Sequence, residues 1–213
     1  QRQVYLAAVS DLRRTITGSG KLGGKQRITV LSQLTRLRQI CCDPRLCCEG
    51  YTGESAKLDA CMELLREATA AGHKVLLFSQ FTTMLDLIAE ALDDEGISFY
   101  TLTGETDKEE RMELVQQFNE GGADVFLISL KAGGTGLNLS GAAVVIHYDP
   151  WWNVSAQNQA TDRAYRIGQT KGVQVIRLIA SDTVEEHILN IQERKKTLSD
   201  GVLLGEEEFF NMD

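Results

Sequence analysis

Asp124-Val-Phe-Leu-Ile-Ser-Leu-Lys-Ala-Gly-Gly-Thr-Gly-Leu-Asn-Leu139 carries a continuous apolar run that breaks straight into glycines. The run is too short for a helix and does not alternate with polar residues. It predicts a strand over Asp124 to Ser129 that is buried on both faces. Gly133, Gly134 and Gly136 then remove side chains where the chain leaves the strand, so backbone can approach a ligand closely. Free amides in such a turn suit a phosphate. The dinucleotide fingerprint fails here, because Leu139 stands where its third glycine belongs. A purely structural loop remains the other reading.

The same pattern repeats on either side. Lys74 to Phe78, Phe99 to Leu102, Ala143 to Tyr148 and Val173 to Ala180 are further short apolar strands. Between them fall helical periodicities. One is capped by Ser55, carries Leu58, Cys61, Met62 and Leu65, and is closed by Gly72. A second spans Thr83 to Leu92. A third carries Met112, Val115 and Phe118 behind a Thr106/Glu109 capping box. A Thr183/Glu186 box opens a final helix running to about Thr197. Strands alternating with helices indicate an α/β fold, a parallel sheet with helices on both faces. Ligands of such sheets collect at the carboxyl ends of the strands. The polar segments obey that rule: Ser79-Gln80, Thr103 to Thr106, Ser129 to Asn138 and Asp149 to Asn153 each follow a strand.

Upstream, residues 3–16 are helical in spacing, and Gly18 to Gly24 break the pattern. That glycine-rich stretch is a connector, since it lacks the register and the preceding strand of a P-loop. Leu31, Leu34, Leu37 and Ile40 make an amphipathic helix over Ile28 to Ile40, with Arg27, Arg36 and Arg38 as a basic flank, ended by Asp43-Pro44. The polar link over 49–55 is the best internal boundary. It divides a helical segment, 1–50, from an α/β lobe, 51–213.

The 213 residues include only two prolines, which argues against a linker-rich chain. No apolar run approaches a membrane span, and the polar start is not a signal peptide. The first residue is not Met, so an excised piece of a longer protein is expected. A net charge of −8 means that any nucleic-acid binding rests on a local patch or a second domain. Five cysteines, an odd count, suit reduced thiols in a cytosolic or nuclear setting. Cys41-Cys42 and Cys47-Cys48 do not have zinc-ligand spacing, so no metal is expected on them.

Two stretches carry further chemistry. In Tyr148-Asp-Pro-Trp-Trp-Asn153 both tryptophans cannot enter one core from an extended loop. An exposed one suits stacking on nucleic acid or a neighbouring domain, and a local packing cap is the other reading. In Gln157-Asn-Gln-Ala-Thr-Asp-Arg-Ala-Tyr-Arg-Ile-Gly-Gln169, a helix would put Gln159, Arg163 and Arg166 on one face. Such a pair grips phosphate, or forms a solvated face paired to Asp162.

Taken in order, Lys74-Val-Leu-Leu-Phe-Ser-Gln-Phe81, Thr103-Gly-Glu-Thr106 with Arg111, the Ser129 to Leu139 stretch, Asp149-Pro-Trp-Trp-Asn153 and Gln159 to Gln169 resemble successive motifs of one lobe. That lobe is the second, C-terminal RecA-like lobe of the Swi/Snf-type DNA-translocating ATPases of helicase superfamily 2. Leu37-Arg-Gln-Ile-Cys-Cys-Asp-Pro44, within residues 28–46, resembles the helical segment that precedes it.

The resemblance implies a mechanism. ATP and Mg2+ are held mainly by a first lobe of the same chain, and this lobe closes on them. Arg163 and Arg166 become arginine fingers, with Gln159, Gly134 and Gly136 at the nucleotide. Ser79, Thr103, Gly104, Ser129, Lys131, Trp152 and Asn153 face double-stranded DNA. The implied partners are the first lobe, duplex DNA and a DNA-bound protein complex, in the cytoplasm of a bacterium or the nucleus of a eukaryote, with no membrane. Val154 and Thr135 depart from the family's common residues. Neither a Gly-Lys-Thr/Ser loop nor an Asp-Glu-Ala/Gly-His box occurs in the chain, so it is not expected to hydrolyse ATP alone. Their absence keeps a second reading alive, an α/β interaction module that kept the fold and lost the motor. A dinucleotide-dependent oxidoreductase is disfavoured by the glycine register.

Overall fold

The computed structural model describes residues 1–17, 24–133, 137–162 and 172–194. Two helices, α1 (Arg2–Thr17) and α2 (Gly24–Cys42), pack on each other, and a single 3-10 turn (Pro44–Leu46) follows. The α/β lobe then runs α3 (Ala56–Ala70), β1 (Val75–Ser79), α4 (Thr82–Asp94), β2 (Phe99–Leu102), α5 (Lys108–Glu120), β3 (Val125–Ser129), α6 (Leu130–Gly133), β4 (Val144–His147), α7 (Val154–Thr161) and β5 (Gln174–Arg177). A last helix, α8, covers 184–194.

The sheet is parallel throughout, in the order β2-β3-β1-β4-β5. The three inner strands, β3, β1 and β4, are buried at every position and almost wholly apolar because both faces are covered, whereas the edge strands β2 and β5 are only partly buried. Val75, Leu77, Val125, Leu127, Val144 and Ile146 point to one core with Leu65, Met84 and Ile88. Leu76, Phe78, Phe126, Ile128 and Val145 point to the other, with Phe118 and Ala160. That period of two is the strand's own geometry. It gives the three-layer α/β arrangement that the alternation of elements implies.

The helical segment is joined to the lobe's core. The first half of α2 is open to solvent, with Ile28 and Leu31 exposed, whereas Leu37, Ile40, Cys41 and Cys42 near its end are buried. The Cys42 carbonyl accepts from both Ser55 Oγ and Tyr148 Oη, each at 3.1 Å, and so ties α2 to the starts of α3 and of the loop after β4. Asp43 caps the 3-10 turn through Arg45 N, as the Asp-Pro pair implied for the end of α2.

The capping expectations need correction. Ser55 occupies the N-cap of α3 but makes no cap bond, because its hydroxyl is committed to Cys42. The cap of α5 is Asp107, whose Oδ1 accepts from Glu109 N and Glu110 N. Thr106 Oγ1 accepts from Thr103 N instead and so closes the preceding turn. At α8, Thr183 Oγ1 accepts from Glu185 N, while Glu186 reaches past the expected partner to Asp182 N. β5 stops at Arg177 rather than Ala180. Beyond it the Leu178 carbonyl accepts from Lys57 and Ala180 N donates to Glu185, which takes the chain off the ladder. The connector expected over Gly18 to Gly24 falls outside the described residues up to position 23, and Gly24 already opens α2. The tail beyond 194 lies outside them as well.

His147 closes β4 with its side chain buried. Thr161 Oγ1 gives its proton to the Gln157 carbonyl, so it accepts at 2.8 Å from a protonated His147 Nε2. The other ring nitrogen, Nδ1, is buried without a partner. A second proton there would bring an unpaired charge into the core, and burial, helped by Arg177, holds the group at about 4. The unfolded chain binds that proton near pH 6.5 and the folded chain does not. Stability from this group is therefore complete above pH 6.5 and falls as pH drops toward 4. We expect wild type to lose about 3 kcal/mol more than His147→Leu between pH 7 and 4 in urea titrations. Parallel curves for the two proteins would refute the assignment.

Candidate functional site

The carboxyl ends of the strands meet along one edge of the sheet, and a buried carboxylate organises their middle. Asp149 follows β4 and is 1% exposed. Its Oδ1 accepts from Ser79 Oγ at 2.7 Å and from Gln80 N at 3.2 Å, and its Oδ2 accepts from Gln80 Nε2. Burial pushes this carboxyl above its ordinary value. Ser79, Lys57 and Arg38 pull it back. The ends of β1 and β4, adjacent strands, are thereby locked together.

Arg38 reaches this point from α2. It was expected on the basic flank of an amphipathic helix, and it is 5% exposed. Its Nη2 donates to the Pro150 carbonyl at 2.6 Å and lies 3.9 Å from Asp149 Oδ2. The signal was present in the spacing. Arg38 sits four after Leu34 and three before Cys41, inside the apolar stripe rather than beside it.

The tryptophans divide as their adjacency requires. Trp151 is half-buried against the core that holds Phe78 and Phe126, and Trp152 is 44% exposed. Two glutamines fix the loop between them and α7. Gln157 Oε1 accepts from Trp151 N at 3.4 Å, and Gln192 Nε2 donates to the Trp151 carbonyl. Sequence reasoning passed over both, since a glutamine in a helix gives no sign of which face it occupies until the packing is known.

The remaining predicted residues are distributed as follows. Ser79 is fully buried, with its hydroxyl spent on Asp149 and accepting from Phe81 N. Ser129 is also buried, and its Oγ accepts from Ala132 N at 3.4 Å, which turns the chain into α6. Lys131 stands exposed on that short helix. Thr103 Oγ1 accepts from Glu105 N in a tight turn after β2, and Gly104 is exposed with open space around it. Asn153 is exposed, and its Oδ1 accepts from Ser155 N at the start of α7. Gln159 is exposed on α7. Gly134, Gly136, Arg163 and Arg166 lie outside the described residues. β2 is three strands away from β4 in the sheet order, so the Thr103-Gly104 turn stands roughly 14 Å from the Trp152 loop across the sheet edge.

No metal centre competes with this edge: among the described residues, no three His, Cys, Asp or Glu side chains are grouped to hold an ion. Cys41 and Cys61 are buried, and burial pushes both thiols up to about 12, so they stay protonated and inert. Nor is any described helix long and apolar enough to cross a membrane.

The helicase conserved C-terminal domain family matches residues 56–168, more than half of the chain. A putative ATP-dependent helicase/translocase of Bacillus subtilis is 40% identical over 215 residues, covering 97% of this chain and 23% of its own length. The solved C-terminal domain of the Sulfolobus solfataricus SWI2/SNF2 ATPase is 31% identical, with a TM-score of 0.77, covering 94% of this chain and 83% of that one. The core of the same ATPase in complex with double-stranded DNA is 35% identical with a TM-score of 0.78, covering 92% of this chain and 42% of that one. The chain spans less than a quarter of the length of the first curated relatives it matches, the Bacillus subtilis protein among them. A parallel RecA-like sheet, its motifs on the carboxyl edge and this set of likenesses agree: the chain belongs to the helicase conserved C-terminal domain family, as a C-terminal lobe of the Swi/Snf type in superfamily 2.

Proposed function

We propose that this chain is the second motor lobe of an ATP-dependent double-stranded DNA translocase. The observation that carries the reading is the strand-end edge itself, where Gly104, Lys131, Trp152 and Asn153 stand exposed in segments that each follow a parallel strand. The likeness to an ATPase core solved with duplex DNA supports it. Ser79 and Ser129, both buried, act by shaping the segments that present their neighbours. ATP is the substrate. A first lobe of the longer protein binds it with Mg2+, and Gln159, Gly134 and Gly136 approach it from this side. Arg163 and Arg166 supply the positive forks for the transferring phosphoryl group. Residues 1–50 form the helical link toward that first lobe, and 51–213 form the lobe.

Hydrolysis by the longer protein is expected to rise with duplex DNA, while the 213-residue chain alone turns over no ATP. DNA affinity should fall with salt, since the contact is mainly to phosphates. A longer protein that binds duplex DNA but never hydrolyses ATP favours the alternative, an interaction module that kept the lobe fold.

A further inference from the structure

Arg38 touches more of the strand-end edge than any role in α2 requires. Besides its bond to Pro150 and its proximity to Asp149, its Cζ lies 5.9 Å from the centre of the Phe81 ring and 5.7 Å from that of Trp152. Phe81 follows β1, and Trp152 follows β4. One flat cation from the helical segment thus contacts aromatic rings on both loops, which fits guanidinium stacking better than a lysine point charge. Its Nε finds no acceptor. Burial lowers the affinity of the group for its proton, and Asp149 offsets part of that. A helix-exterior arginine needs none of this, and a methionine would fill the same space without the desolvation cost.

We propose that Arg38 is a positioning residue for Trp152: it holds the exposed indole in its DNA-binding pose and passes any shift of α2 to the DNA-facing loop. The inference rests on the reading of Trp152 as a DNA contact. It adds a physical connection between the segment that leads toward the first lobe and the loop after β4. The path is short and continuous. The last turns of α2 are buried in the lobe, so a movement of that helix carries the guanidinium with it, and the Pro150 carbonyl and the two rings follow.

The test has two parts. In this chain with Trp151→Phe, Trp152 is the sole tryptophan, and its emission and acrylamide quenching report its pose. Arg38→Met is expected to shift the emission to the red and raise the quenching, and Arg38→Lys to leave both perturbed, because charge without the flat fork does not hold the ring. Should Trp151→Phe disturb folding, the difference between the unmodified chain and Trp152→Phe gives the same signal. In the longer protein, Arg38→Met is expected to weaken duplex DNA binding by about tenfold. That loss should vanish in a Trp152→Ala background, since the two residues act as a unit. An unchanged Trp152 signal, or a DNA-binding loss that simply adds to that of Trp152→Ala, overturns the inference alone. A Trp152→Ala protein that binds duplex DNA as well as wild type overturns the DNA-contact reading and the inference with it.

Discussion

Arg163→Ala and Arg166→Ala are each expected to cut the DNA-stimulated ATP turnover of the longer protein by about 10³-fold or more, with ATP affinity largely kept. The reasoning is electrostatic. Charge spreads over the equatorial oxygens of the phosphoryl group only as it transfers, so a guanidinium placed there acts on the transition state more than on bound ATP. α7 starts at Val154 behind the Asn153 cap, and its exposed Gln159 lies four residues before Arg163. Lysine at either place should recover little, because the planar fork matters as well as the charge. Turnover is read by phosphate release under saturating duplex, and affinity by a fluorescent ATP analogue. An alanine protein that turns over normally sinks the assignment and returns the two arginines to a solvated face beside Asp162.

Lys57→Met is expected to destabilise the chain by about 3–5 kcal/mol. Lys57 Nζ donates to the Tyr148 carbonyl, the Leu178 carbonyl and Glu185 Oε2, so one ammonium uses its three protons on the ends of β4, β5 and α8. Glu185 is fully buried, and burial pushes its carboxyl above the ordinary value while Lys57 pulls it back. Without the lysine, the carboxyl has only Ala180 N as a donor and takes up a proton. A raised folded value means that the unfolded chain releases this proton first. The deficit of the variant is therefore smallest below the unfolded value of 4.5 and grows as pH rises through the folded one. Lys57→Met with Glu185→Leu should recover much of the loss, because two apolar side chains leave no stranded charge. Urea titrations at pH 4 and pH 8 measure both effects. A single variant equally stable at both would overturn this account.

Much of the architecture could be read from residue pattern. Five largely apolar runs became five parallel strands with bounds within about three residues, because a strand covered on both faces is mostly apolar, as the buried inner strands β1, β3 and β4 are. Capping residues were harder to place. Thr106 and Asp107 are both good caps, and Ser55 had a competing acceptor in the Cys42 carbonyl that only the fold brings near. The site was partly legible. The exposed members of the edge, Gly104, Lys131, Trp152 and Asn153, lie where the strand-end rule puts them. The buried polar residues that organise the edge were not singled out for that role. Asp149, Arg38 and Gln192 find their partners across 41 to 112 residues of sequence. Gln157 is the exception in reach, only six residues from Trp151, and there the helix face decided. For Asp149 and Gln192 no local periodicity marks the distant partner, whereas Arg38 stood within the apolar stripe of its own helix.

The strand order carries one more consequence, for how the lobe assembles. β1 lies at the centre of the sheet yet precedes both of its neighbours in the chain, pairing with β3 about 50 residues on and with β4 beyond that. On a ribosome, Val75 to Phe78 is among the first lobe segments to emerge and cannot gain its second partner until His147 has followed. This apolar strand waits for its second neighbour, and a nascent chain must shield it before the strand-end edge can exist.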